Sequence, residues 1–206
     1  MARTKEAQYE DCLRAAEESG VDSLGVMTNQ VWRDDPRRLA ILLSRYKFVA
    51  KMLSGKRRLV EVGCGDAFGS RVVQQETGEL TVLDIDPVFI ADIERRMHPD
   101  WPLTPAVHDM LSGPYPGIFD AAYSLDVLEH IPQTQEETFL RNIIMSLNSD
   151  GVLIVGMPSL DSQEHASPQS KIGHINCKHG GDFKALMEGF FENVFVFSMN
   201  DEVVHT

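Results

Sequence analysis

The sequence predicts a doubly wound α/β fold with a mostly parallel sheet, preceded by a helical N-terminal cap. Three observations carry this reading. From Arg58 onward, short apolar runs alternate with helical segments, the pattern of a parallel sheet covered on both faces. A glycine-rich turn, Gly63-Cys64-Gly65, directly follows the first of these runs. An acid, Asp84, closes the second run about 20 residues further on.

Two helices come first. Residues 5–19 carry strong helix formers and stop at Ser19-Gly20. A turn-rich stretch then runs to Asp35. Pro36 suits the first turn of a second helix, in which Leu39, Leu42, Leu43, Tyr46, Val49, Ala50 and Leu53 recur at helical spacing up to about Ser54-Gly55. Strands are predicted at 58–62, 79–84, 103–108, 119–124, 151–157 and 191–199, and helices near 69–77, 87–97, 135–147 and 181–189. Residues 1–55 thus read as a cap or lid and 56–206 as the α/β domain, together one compact unit. The stretch 159–181 is polar, rich in Ser, Gly and His, and without a sustained period. A long loop of that kind in a compact domain is usually functional, so it is a candidate lid on the substrate side.

Bulk properties narrow the function. At 206 residues and 43% apolar content the chain can bury one substantial core. A formal net charge of -12 disfavours a nucleic-acid partner, which is held by clustered Lys and Arg. Cys12, Cys64 and Cys177 are odd in number and form no C-x-x-C pair, which fits a reducing compartment, the cytoplasm by default. No apolar run approaches the roughly 18 residues of a membrane span, so no membrane partner is expected. Association with further copies of the chain stays open.

The chemistry concentrates around the glycine turn. Glu61-Val62-Gly63-Cys64-Gly65 ends a strand and opens a helix, letting the backbone approach a ligand where a side chain would collide. Asp84, at the carboxyl end of the second strand, can accept hydrogen bonds from both hydroxyls of a ribose. The other task for an acid here, capping the helix that begins at Pro87, falls better to Asp86. A dinucleotide enzyme would carry G-x-G-x-x-G, whose last glycine is replaced here by Phe68.

With these motifs the sequence resembles the class I S-adenosylmethionine (SAM) dependent methyltransferases over roughly residues 36–199, a Rossmann-like family, and in particular its small-molecule and sugar-modifying members. Glu61, Gly63 and Gly65 match the family's first motif, with Ala67 where a third glycine usually stands. That departure is expected to cost a little room near the methionine moiety. The resemblance implies SAM as cofactor, leaving as S-adenosylhomocysteine (SAH). It places Asp84 and Ile85 at the ribose end, Asp109 at the adenine amino group with the Met110 backbone at the ring, and Cys64 in the cofactor loop. The stretch Phe119 to Pro132 looks like the fourth-strand motif, which puts Ser124 and Leu125 nearest to SAM and leaves Asp126 to the loop or the acceptor. Arg45 and Tyr46 resemble an Arg-Tyr pair in some relatives, where Arg45 would meet the SAM carboxylate. The family usually ends its sheet in an antiparallel hairpin. Only seven residues follow Met199, so the last strand is expected to be missing or a stub, and the chain to be a shortened form of a longer protein.

Methyl transfer from a sulfonium mainly needs alignment, and a hydroxyl acceptor gains from a general base. His174 and His130 are the candidate catalytic residues, because imidazole titrates near working pH. His174-x-x-Cys177-x-His179 invites a metal reading, but only His165 folding back would complete it, so no metal is expected. The reading is O-methylation of a small polar acceptor, a sugar or another small metabolite. N-methylation of a small molecule and a SAM-binding regulatory protein without catalysis are the alternatives.

Overall fold

A computed structural model describes residues 4–199. A 3-10 turn, Ala7–Tyr9, leads into α1 (Glu10–Ser19), α2 (Val26–Asp34) and α3 (Arg37–Met52). Then follow β1 (Arg58–Val62), α4 (Ser70–Gln74), β2 (Glu79–Asp84), α5 (Pro87–Arg96), β3 (Thr104–Val107), β4 (Phe119–Leu125), α6 (Glu136–Met145), β5 (Leu147–Gly156), α7 (Pro168–Gly173) and α8 (Gly180–Glu188). The strands pair in the order β3-β2-β1-β4-β5, all parallel. This is the doubly wound α/β architecture that the sequence predicts.

Alternate strand residues serve opposite faces. Leu59, Val82, Ala121 and Tyr123 pack under α3, α4 and α5 together with Tyr46, Val49, Leu53, Val73 and Ile90. Val60, Val62, Leu83 and Ala122 pack on the other face under α6 and α8 with Phe139, Leu140, Ile143 and Met187. Each large apolar side chain fully buried in this way stabilises the fold by about 1.5–3 kcal/mol. Strand order reverses between β1 and β4, and a crevice outside the carboxyl ends of the strands is the ligand position such a reversal creates.

Several elements depart from the sequence reading. The stretch before Asp35, read as turns, contains α2. α3 begins at Arg37, with Pro36 as its N-cap residue, and ends at Met52. β5 begins at Leu147, with a register break between Phe119 and Ala121 of β4 that accommodates Asn148–Gly151 within the strand. Residues 191–199 form no strand. Phe191 and Val194 instead pack on the second core, and the Phe197 ring meets Phe48 of α3 with centroids 5.0 Å apart. Apolar β-branched and aromatic composition reports a fit to packed surfaces, not an intrinsic backbone preference, which is why the run reads as a strand. The stub considered for 200–206 lies outside the described residues. The polar stretch 159–181 is structured: a 3-10 segment Leu160–His165, α7, and a parallel bridge from Ser159 to Lys178.

Candidate active site

The glycine turn is fixed by contact as well as by conformation. Gly63 has φ +76, and a Cβ there would lie 2.2 Å from Cγ2 of Val127, so the turns after β1 and β4 touch at this point. The amides of Gly63 and Cys64 both donate to the Leu83 carbonyl, at 2.8 and 2.9 Å. Gly65 is also left-handed, at φ +53, and so is Ala67, at φ +52. For alanine that conformation costs roughly 1–2 kcal/mol. Its methyl is buried in the first core, so the departure from glycine costs backbone strain.

Asp84 stands where β2 meets this turn. One carboxylate oxygen accepts from the Gly65 amide (2.8 Å) and the other from the Asp86 amide (2.9 Å). A carboxylate has about four acceptor positions, so two remain. Asp86 caps α5 by accepting from Val88 N at 2.9 Å. Ile85, beside them, is 64% exposed. At the end of β3, Asp109 closes a turn by accepting from Leu111 N (2.8 Å), while the Met110 side chain is in the second core. Ser124 is fully buried and donates to the Val62 carbonyl (2.9 Å), and Leu125 packs in the first core. At Met110, Ser124 and Leu125 it is therefore the backbone that can serve the crevice.

Glu61, on the central strand β1, and Tyr46 of α3 meet on the face of the sheet that α3 covers. The Glu61 carboxylate, 1% exposed, accepts from Tyr46 Oη (2.7 Å), Tyr123 Oη (2.8 Å) and the Ser70 hydroxyl. Burial outweighs these three donors and raises its carboxyl to about 7. Burial likewise pushes the Cys64 thiol up, leaving it protonated. These three side chains form the floor beneath the loop and do not reach its open face.

The sequence reading missed the link between cap and loop. Asp66 accepts from the Thr28 amide (2.7 Å) and hydroxyl (3.0 Å), and Asp92 of α5 accepts from the Val26 amide (3.2 Å). Arg96 binds both sides, pairing with Asp92 (2.9 Å) and donating to the Asp66 carbonyl (2.6 Å). Gly25 is packed so closely that a Cβ would sit 2.2 Å from Asp66 Oδ2, and Met27 lies over Gly65. The first amides of α2 are thus satisfied from distant acids. Its N-cap, Gly25, contributes no side-chain bond, so no local capping signal marks the helix.

The turn after β4 gathers the remaining candidates. Asp126 is left-handed (φ +56), its amide donates to the Gly156 carbonyl (2.8 Å), and its carboxylate pairs with Arg45. Arg45 Nε is buried with no partner. Glu129 is fully buried with both carboxylate oxygens unpartnered, and burial followed by the charge of Asp126 pushes it up to about 7. The amides of Ile175 and Asn176 donate to the Glu129 carbonyl at 2.9 and 3.0 Å, strapping the polar stretch to this turn. Lys178 and Asn176 anchor it further on the Glu136 carboxylate, at 2.8 and 2.9 Å. In consequence His130 and His174, 44 positions apart in sequence, bring their rings to 5.2 Å between centroids. His130 Nδ1–H donates to the Gly173 carbonyl (2.9 Å) and His174 Nδ1–H to Gln163 Oε1 (2.8 Å). Burial, then the neighbouring His130, holds the His174 imidazole below its ordinary value.

The family model described as a methyltransferase domain matches residues 59–151, from β1 through the start of β5. Residues 59–151 therefore match the class I SAM-dependent methyltransferase domain that the sequence resembles. Solved structures share the fold of this chain. The DhpI-SAM-HEP complex superposes with a TM-score of 0.60 at 15% identity, covering 91% of this chain and 90% of that one. The N-methyltransferase NodS from Bradyrhizobium japonicum WM9 gives 0.52 at 20% identity, with 69% and 82% covered. The mitomycin 7-O-methyltransferase MmcR gives 0.59 at 17% identity, with 88% and 59% covered. The chain spans 59% of MmcR and 62% of NodS in its complex with SAH, less than two thirds of either. No curated protein matches the chain. Among the described residues no helix is long and apolar enough to cross a membrane.

Proposed function

We propose that the chain is a SAM-dependent methyltransferase acting on an oxygen of a small polar acceptor, a sugar or another compact metabolite, held between the β4 turn and the segment 159–179. The observation that carries the reading is the convergence of His130 and His174 beside the cofactor crevice. Each imidazole has its Nδ1 proton fixed on a carbonyl-type oxygen, which leaves Nε2 as an acceptor.

The residues present fit SAM. Asp84 would take the ribose hydroxyls on its two free acceptor positions, with Ile85 beside it, and Asp109 would take the adenine amino group. The backbone of Gly63, Gly65, Ser124, Leu125 and Met110 would line the crevice, and the unpartnered Nε of Arg45 would meet the carboxylate. Glu61, Tyr46 and Cys64 hold the loop from below. Residues 1–55 act as a cap through Met27 and the Thr28–Asp66 link. SAM, when bound, supplies an electrophilic methyl: the acceptor oxygen bonds its carbon while the carbon–sulfur pair returns to sulfur. His174 Nε2 accepts the hydroxyl proton, and His130 holds the ring beside it. NodS is named an N-methyltransferase. An amine acceptor needs no base in the transfer step itself, so the paired imidazoles favour oxygen. The acidic chain with its free cysteines is assigned to a reducing compartment, the cytoplasm, with neither nucleic acid nor membrane as partner.

Replacing His174 with Ala should lower kcat on the order of 100-fold or more while leaving SAH affinity within a few-fold. Steady-state kinetics and calorimetry separate the two. A kcat unchanged in both His174→Ala and His130→Ala would remove the imidazoles from the chemistry.

A further inference from the structure

Glu129 poses a problem that the methyl-transfer reading does not solve. Its side chain is fully buried, and neither carboxylate oxygen has a hydrogen-bond partner. An ionised carboxylate so placed is costly unless a cation meets it, and a protonated one would still need an acceptor for its O–H. His130 Nε2 faces Glu129 Oε1 at 4.0 Å. Ligating atoms of Glu129, His130 and His174 all lie within 4.8 Å of one another. Bonds of about 2.0–2.2 Å bring ligand atoms roughly 3–4 Å apart, so the tips need close by only about an ångström.

The surroundings are those of metal-ligating histidines. A ligating imidazole gives its other N–H to a carbonyl or carboxylate, which fixes the ring and directs the free nitrogen. His130 does so to the Gly173 carbonyl and His174 to Gln163. The adjacent Arg45 charge is already neutralised by Asp126. The ligand set that the sequence suggested does not assemble, because His179 pairs instead with Asp161 at 3.0 Å.

We propose that Glu129, His130 and His174 bind one divalent cation of borderline character, such as Mn²⁺, Co²⁺ or Zn²⁺. The cation's task rests on the proposed function. It acidifies an acceptor hydroxyl, whose proton passes to water, and so takes over the part given above to an imidazole. The binding site itself does not depend on that reading.

The test is titration of the whole, tag-free chain with Co²⁺, in the presence of SAH, followed by calorimetry and visible absorption. One equivalent is expected to bind. His130→Ala, His174→Ala and Glu129→Gln should each weaken it on the order of 100-fold, and Gln163→Ala about tenfold. His165→Ala and His179→Ala should leave it unchanged. Glu129→Gln removes an unpaired buried carboxyl, so its metal-free melting temperature should not fall, which separates lost binding from lost folding. Absence of Co²⁺ binding, or binding indifferent to both His130→Ala and His174→Ala, would overturn the proposal. A chain that binds Co²⁺ here yet methylates no oxygen acceptor would contradict the proposed function and leave the cation site standing.

Discussion

At the scale of single residues, two acids beside the glycine turn have separable tasks. Asp84→Ala should weaken SAH binding far more than Asp86→Ala, because two hydrogen bonds to a charged acceptor disappear, each about 1.5–3 kcal/mol. Asp86 serves only the cap of α5. Equal losses in calorimetry would take Asp84 off the ribose. Glu61 gives a pH signature. Burial holds its carboxyl at about 7, above the ordinary 4.5. The folded chain therefore keeps a proton that the unfolded chain has released, so this group favours folding at low pH and loses that contribution as pH rises from about 4.5 through 7. Urea midpoints of Glu61→Gln should fall less steeply over that window than those of the wild type. Parallel slopes would contradict the assignment. The sequence placed both Asp84 and Glu61 at the right end of their strands. It did not reveal that Glu61, Ser124 and Met110 turn their side chains inward, because a motif fixes spacing along the chain and not which face a side chain takes.

At the scale of elements, the links that complete the site are long-range and were largely invisible in sequence. α2 has no cap of its own, and its first amides depend on Asp66 and Asp92. Asp66→Ala should expose the amide of Thr28 to hydrogen exchange and lower stability by about 1–3 kcal/mol. Protection unchanged from the wild type would show that the cap is held by packing alone. The strands 58–62 and 79–84 were legible to the residue, because burial on both faces makes apolar runs with sharp ends. Residues 159–181 were legible as a functional segment but not as a structured one. Their fixed points, the Glu129 carbonyl and the Glu136 carboxylate, lie 40 or more residues from the groups they hold. The same distance hid the pairing of His130 with His174.

At the scale of the whole molecule, cap, glycine turn, β4 turn and polar segment all meet at the carboxyl ends of the parallel strands, where strand order reverses. On the proposed function, that convergence gives the face on which a methyl donor and a small acceptor would be aligned, and alignment is most of what transfer from a sulfonium requires. The most direct test is the fate of the methyl group. The chain is incubated with methyl-labelled SAM, fractionated small-metabolite and nucleotide-sugar pools, protein and RNA, and the products are resolved by mass spectrometry and NMR. The account predicts label in a small polar compound, on oxygen. Label found chiefly in protein or RNA, or on nitrogen, would contradict it.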